Sequence, residues 1–373
     1  MVSLSPQAAS NCRAVPTADL IKGNFIVPTT AAVSDSLYES LFAPSPADAV
    51  AAEVRAGLTS TPKTLSPWLF YDENGSRLFE QITELPEYYL TRIERSLFHT
   101  HADEIIKHAS EPTGNDPAPM LTLIELGAGT ATKTGILLAA IVRRQRTVVY
   151  QPVDVSETAL AEATENIRSN IPGVTVRCQV ADYTTQALPL NRLPNTRTLA
   201  LYIGSSIGNF SPDDACSVLR NLRAQLLPGD RLLLGTDLVP GESKTVAHLL
   251  GAYNDASGTT AAFNRNVLVR LNRELGANFH PENFEHKARW NASESRIEMH
   301  LISHIAQQVH IPANSAGSAL TLKFAPGETI HTENSHKFTP GRIRSLLHTS
   351  GFTLTHTWTD PERFFAVNLA TAI

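Results

Sequence analysis

Cysteine is scarce: Cys12, Cys178 and Cys216 are the only three in 373 residues, and none sits in a paired motif. That argues against a disulfide-stapled scaffold and for a reduced, cytoplasmic setting. No apolar run approaches the roughly 18 residues of a membrane span. The first residues lack a basic segment leading into an apolar core, so no secretory signal is expected. Charged residues make up only 18%, with a net charge of −5 and no basic block or basic–aromatic stripe. Neither a membrane nor a nucleic acid is therefore an expected partner. Nine of the thirteen histidines lie from His280 onward, and His300 and His304 are expected to share a strand face. No Cys/His or His/carboxylate set has ligand spacing, so no metal is expected. What is plentiful is hydrophobic content, 42%, enough for a full core. The length allows two domains, or one with a large insertion, and a monomer is expected.

The most informative stretch is Met120-Leu-Thr-Leu-Ile-Glu-Leu-Gly-Ala-Gly-Thr-Ala-Thr-Lys133. An apolar run stops at Glu125, Gly127 and Gly129 follow, and a helical pattern runs from Lys133 to Arg143. Strand, tight glycine turn and helix open a nucleotide-binding α/β sheet, where the backbone must turn sharply and let a ligand come close. A dinucleotide fingerprint would put its third glycine at residue 132, which is Thr132. That disfavours a pyrophosphate-bearing cofactor and favours an adenosyl ligand without phosphates, with S-adenosylmethionine the foremost candidate.

Asp154 closes a second apolar run, Thr147–Val153, and can accept from both ribose hydroxyls. A third run, Val174–Val180, ends at Ala181-Asp182, where an acid can accept from an adenine amino group. A fourth, Thr198–Ile203, opens into Gly204-Ser-Ser-Ile-Gly-Asn209. A fifth, Arg231–Leu234, runs through Gly235 to Asp237. Ligands bind at the carboxyl ends of parallel strands, which is where these Gly, Asp and Asn residues fall. The ordinary alternative for each acid is a helix N-cap.

Residues 1–45, rich in Ala, Ser, Thr and Pro, form a loosely ordered lead-in with an extended piece near Ile21–Ile26. A helix is expected over Ala47–Leu58, helical pieces broken by Gly75 and Pro86 over Phe70–Tyr89, and one helix over Thr91–His108. After the fifth strand the pattern changes. Ser243–Gly276 is helical, and Ala288–Trp290, Arg296–Ile302 and Leu320–Phe324 alternate as antiparallel strands. A helix over Thr339–Thr349, capped by Gly351, and strands Phe352–Thr357 and Phe364–Ala370 close the chain. The expected architecture is α/β, a Rossmann-like sheet interrupted by an α+β insertion. Residues 46–100 and 241–337 make a substrate-binding domain; 101–240 and 338–373 make the cofactor domain.

Several segments together carry a resemblance. Pro62-Lys-Thr-Leu-Ser-Pro-Trp-Leu-Phe-Tyr-Asp-Glu-Asn-Gly-Ser-Arg77, continuing to Pro86-Glu-Tyr-Tyr-Leu-Thr-Arg92, is one. Glu125-Leu-Gly-Ala-Gly-Thr130, Pro152-Val-Asp-Val-Ser-Glu157, Gly204-Ser-Ser-Ile-Gly-Asn-Phe210 and Leu234-Gly-Thr-Asp-Leu238 are others. Ala252-Tyr-Asn-Asp255, Ala262-Phe-Asn-Arg-Asn266, Arg296-Ile-Glu-Met299 and Thr332-Glu-Asn-Ser-His-Lys-Phe338 complete the set. From about residue 45 to the C-terminus the chain resembles the histidine-specific N-alpha-methyltransferases, which form hercynine for ergothioneine biosynthesis. The resemblance implies a class I S-adenosylmethionine-dependent methyltransferase fold and three methylations of the α-amino group of L-histidine. Carried over residue by residue, Gly127, Gly129, Lys133, Asp154 and Asp182 would hold S-adenosylmethionine. Asn209 and Tyr253 would hold the amino-acid carboxylate, and Glu333 and Ser335 the imidazole. Tyr71, the expected catalytic residue, would surround the amine with Phe79 and the backbone of Gly204. Met299 would pack near the imidazole, and Tyr88 would line the pocket.

The residue types suit that chemistry. An amine nucleophile needs a neutral nitrogen lone pair, so catalysis is mainly positioning. A tyrosine hydroxyl can accept from the amine, an amide and a phenol can donate to a carboxylate, and a glutamate can accept from an imidazole N–H. Each residue also has an ordinary reading: core aromatics for Tyr71, Tyr88 and Tyr253, core packing for Met299, a solvated charge for Glu333. The middle residue Asn334 either faces away or alters the side-chain pocket. Methylation of tryptophan or a derivative, and a non-catalytic amino-acid-binding homologue, are the alternatives.

Overall fold

The computed structural model describes residues 46–112, 118–184, 186–190, 192–314 and 317–373; the lead-in, with the extended piece expected near residue 21, lies outside them. In chain order the elements are α1 (Pro46–Thr59), β1 (Lys63–Thr64), α2 (Glu73–Thr83), α3 (Tyr89–Ala109), β2 (Met120–Leu126), α4 (Thr134–Gln145), β3 (Val148–Asp154), α5 (Glu157–Asn170), β4 (Val174–Val176), β5 (Gln179–Val180), β6 (Thr196–Tyr202), α6 (Pro212–Gln225) and β7 (Arg231–Asp237). There follow α7 (Val246–Ala252), α8 (Thr259–Leu275), β8 (Phe284–Asn291), β9 (Arg296–Ser303), β10 (Gln307–Ile311), β11 (Leu320–Phe324), β12 (Thr329–His336), α9 (Pro340–Thr349), β13 (Phe352–Thr359) and β14 (Phe365–Ala372).

The large sheet has the order β13-β14-β7-β6-β2-β3-β4, with β5 also pairing β3. Its inner strands are parallel, and β14 runs antiparallel to β7 and to β13. Strands β2, β3, β6 and β7 are buried along nearly their whole length, as strands covered on both faces must be. The chain leaves β2 toward β3 on one side and returns to β6 on the other. The order therefore reverses at β2, and a crevice opens at its carboxyl end.

The second sheet, β1-β12-β9-β8, is built by the insertion after β7, with β1 contributed by the N-terminal part. Helix α8 packs on β8 and β9 of it, and α2 packs on α8. Asp72 caps α2 by accepting from Gly75 N at 2.7 Å and also receives Asn266 Nδ2 of α8, so the two helices are tied at one point.

Four local expectations need correction. Gly75 does not break a helix; it lies in the first turn of α2, where any Cβ would run into the Phe70 carbonyl. The third run splits into β4 and β5 at Arg177-Cys178. The stretch 243–276 is two helices separated at Tyr253–Gly258. His304 falls past the end of β9, and His300 is buried against His331 with ring centroids 4.8 Å apart. The boundary drawn between residues 100 and 101 falls inside the continuous helix α3, which packs on α4 and on β14 of the large sheet. We propose a two-part division with α3 wholly on the cofactor side. Strands β10 and β12 were not resolved from the sequence pattern. No helix among the described residues is long and apolar enough to cross a membrane.

Candidate active site

The glycine turn after β2 is held from below. Gly127 N and Ala128 N both donate to Val153 O, at 2.9 and 3.2 Å, and Gly129 N donates to Asp154 Oδ2 at 3.0 Å. Gly127 and Gly129 have φ of +66° and +51°, a region costly for residues with a Cβ. These amides face the end of β3, so they are not offered to a phosphate. Above Gly129 a Cβ would meet nothing within 4 Å, which leaves room for a ligand to approach the backbone. Asp154 uses its other oxygen on Ser156 N, and Asp182 Oδ1 accepts from Thr184 N, both at 2.9 Å. The capping partner of α5 is Ser156 rather than Asp154. A spent set of turn amides with acids at the next two strand ends fits an adenosyl group better than a pyrophosphate.

Lys133, at the start of α4, forms an ion pair with the fully buried Glu94 of α3. Glu94 also accepts from Gly204 N at 2.9 and 3.0 Å through its two oxygens. Sequence reasoning missed Glu94, since an acid inside a helix carries no site signature. Gly235 supplies the space it needs: a Cβ there would collide with the Glu94 carboxylate. The N–H of Gly204 is thus taken, and Gly204 meets the cavity by its other backbone atoms.

A cavity opens beside this turn, bounded by the 3₁₀ turn Ser206–Asn209, the helices and β12. All nine residues expected to meet the substrate line it: Tyr71, Phe79, Tyr88, Gly204, Asn209, Tyr253, Met299, Glu333 and Ser335. Thr260 and Phe263 of α8 line it too. Tyr71, Phe79, Tyr88 and Phe263 form one aromatic wall. Tyr71–Phe79, Phe79–Tyr88 and Tyr71–Phe263 lie 5.7, 6.2 and 5.9 Å apart, all three edge to face.

Opposite stands the polar wall. Asn209 Nδ2 donates to Glu333 Oε1 at 3.1 Å, joining the large sheet's loop to the second sheet. Met299 and Glu333 are register partners on β9 and β12. Tyr253, just past the end of α7, shares a 2.7 Å hydrogen bond with Ser335. Burial pushes the Glu333 carboxyl up to about 8, against the pull of the Lys337 ammonium. It is therefore largely protonated at neutral pH and can both donate and accept. Burial, helped by the charge of Glu333, raises Tyr71 well above the ordinary phenol range, so its hydroxyl stays protonated. Asn334 pairs in register with Glu298 and does not line the cavity.

Behind the polar wall lies a buried ionic cluster. Asp237 at the end of β7 pairs with Lys244 and, at 2.9 Å, with Lys337, and receives Tyr89 Oη at 2.9 Å. Burial raises Asp237, but the two ammoniums outweigh it and hold the carboxyl below its usual range. Burial also pushes Lys244 down to about 8. Sequence reasoning assigns Lys337, within Thr332–Phe338, no role. Its signal was there: Glu333, Ser335 and Lys337 follow the period-two spacing of one strand face.

A doubly wound sheet with an adenosyl-type crevice, abutting a cavity with one aromatic and one polar wall, is the arrangement of a class I S-adenosylmethionine-dependent methyltransferase. Within that class the chain belongs to the histidine-specific, S-adenosylmethionine-dependent methyltransferase family, whose profile matches residues 50–372. It is 44% identical over 336 residues to the histidine N-alpha-methyltransferase of Mycolicibacterium smegmatis, covering 90% of this chain and 98% of that one. The enzyme of the same name from Mycobacterium tuberculosis is 39% identical over 318 residues, 85% and 93% of the two chains. Ergothioneine biosynthesis protein 1 of Schizosaccharomyces pombe is 30% identical over 293 residues, 77% of this chain and 36% of that protein.

Proposed function

We propose that this enzyme transfers three methyl groups from S-adenosylmethionine to the α-amino nitrogen of L-histidine, producing hercynine for ergothioneine biosynthesis. One observation carries the reading: Asn209, Tyr253, Glu333 and Ser335, drawn from three separate segments, line the same cavity as the aromatic wall. Gly127, Gly129, Lys133, Asp154 and Asp182 are the residues that would hold S-adenosylmethionine, which when bound supplies an electrophilic methyl carbon on a sulfonium.

The chain's own groups then orient the amino acid. Asn209 and Tyr253 are donors for its carboxylate. Glu333 and Ser335 offer an acid and a hydroxyl to the ring. Imidazole has one nitrogen that donates and one that accepts, and this pair can satisfy both; indole has only a donor. Tyr71, held protonated, accepts from the amine N–H and points the lone pair, and does not act as a phenolate base. Each methylation adds bulk and finally a permanent positive charge. Aromatic residues of the cavity lining offer such a cation a favourable partner. Displacement of the ring by a tryptophan-like side chain would leave Glu333 and Ser335 poorly matched, which disfavours that alternative.

Product mass spectrometry tests the reading. Histidine incubated with the enzyme and S-adenosylmethionine gains three methyl groups, while tryptophan is not converted. Failure of histidine to reach the trimethylated product, or tight binding without turnover, would refute it.

A further inference from the structure

Lys337 lies behind the substrate wall, yet it touches the two hydroxyls that face the cavity. Its fully buried ammonium has three N–H donors and three acceptors: Asp237 Oδ2 at 2.9 Å, Tyr253 Oη at 3.0 Å and Ser335 Oγ at 2.8 Å. An ammonium cannot accept, so Tyr253 and Ser335 both act as acceptors toward it. The two hydroxyl oxygens are 2.7 Å apart and share one proton between them. Two hydroxyls carry two protons. The second is not needed by the pair and cannot go to Lys337. Both residues line the cavity, so that proton is available to the occupant.

Charge points the same way. Asp237 balances one of its two ammonium neighbours, Lys244 and Lys337, which leaves one positive charge in excess behind this wall. A hydroxyl pair with one proton to spare for the cavity, backed by a net positive charge, suits an anionic acceptor.

We propose that Lys337 is a positioning residue that commits the Tyr253–Ser335 pair to donate, so that this wall selects an amine bearing a free carboxylate over the same amine with its carboxylate masked. The proposal rests on the functional reading above, and deepens it by assigning the selectivity to a residue that does not itself line the cavity.

The test is calorimetry on the full chain loaded with S-adenosylhomocysteine, using L-histidine and L-histidinamide as probes. The wild-type protein binds histidine more tightly. Lys337→Met should weaken histidine by about tenfold or more, change histidinamide by less than about threefold, and leave S-adenosylhomocysteine affinity unchanged. Asp237 keeps Lys244 and Tyr89 in this variant, so its charge remains paired. Lys337→Gln keeps a donor for Asp237 but is neutral and can accept; it should give the same selective loss. Equal weakening of both probes, or no weakening of histidine, would overturn the proposal. So would failure of both variants to fold, which would make Lys337 purely structural. If the wild-type protein binds no histidine, the functional reading falls and this proposal with it. Histidine binding with an unselective loss in the variants sinks this proposal alone.

Discussion

At the scale of single residues, the proposed function assigns some groups to the substrate and others to the cofactor. Glu333 belongs to the first and Asp154 to the second. Glu333→Ala should weaken histidine binding by about 2 kcal/mol, because a buried ring nitrogen loses its partner, while cofactor affinity barely moves. Asp154→Ala should do the reverse. Calorimetry with each ligand checks both, and equal losses in either variant would contradict the assignment. Glu333 also leaves a mark on stability. Its folded carboxyl titrates near 8 against 4.5 when unfolded. Its protonated form is the one the fold favours, so that contribution is complete below about pH 4.5 and is lost as pH rises through 8. The ligand-free protein should lose melting temperature across that window, and Glu333→Gln should flatten the loss by on the order of a few degrees. An unchanged pH profile in the variant would show that Glu333 is not the group responsible. Most of these residues were legible because the motifs that contain them are contiguous: Glu333 and Ser335 sit in one eight-residue strand. Glu94 was not, since its partners Lys133 and Gly204 are 39 and 110 residues away.

At the scale of elements, the parallel strands were the easiest to read. Runs such as Met120–Leu126 and Arg231–Asp237 are mostly apolar up to a Gly, Glu or Asp at the working end. Strand β12 was the hardest. Thr332, Glu333, Ser335 and His336 are buried and polar, so the hydrophobic alternation that marks an ordinary half-buried strand is missing. A strand that builds a polar pocket hides itself in this way. Helix α2 makes the complementary point: a glycine that looks like a break serves a close approach. Gly75→Ala would drive a methyl group into the Phe70 carbonyl. Displacing the start of α2 also shifts Tyr71, next to that carbonyl, and Phe79 on the same helix. The variant should cost about 1–3 kcal/mol of stability and lower the turnover of histidine more than its cofactor affinity. Full activity with an unchanged melting temperature would mean that α2 can move aside freely.

At the scale of the whole molecule, the two sheets are coupled through charge as well as packing. Asp237 ends β7 of the large sheet; Lys337 directly follows β12 of the second. The chain order alone suggests an insertion that could be lifted out, and the division into a cofactor part and a substrate part reflects that. The ionic cluster between them could not be read from the sequence, because Asp237 and Lys337 are 100 positions apart and lie in two separate motifs with nothing in either to pair them. Asp237→Ala would bury two ammoniums without their common partner and should cost about 3–5 kcal/mol, read from denaturant unfolding. The sign with pH is opposite to that of Glu333. The Asp237 carboxyl is held below its usual range, so its stabilisation is present above about 3.8 and fades as pH falls through its folded value. Acid should therefore melt the wild-type protein in part through this residue. A variant as stable as the wild type would show the cluster to be dispensable.

The irregularity in β12 between His331 and Glu333 sets the parity of everything downstream. Because of it, Glu333, Ser335 and Lys337 look inward while Asn334 and His336 look away. Lengthening or shortening the chain by one amino acid just ahead of Glu333 would exchange those two teams in a single stroke. The ring would then meet an amide and an imidazole in place of an acid and a hydroxyl, and the ammonium behind them would be turned out of its seat. Indels at this one spot are therefore a route by which a relative could change its diet without altering a single residue of the pocket's letters.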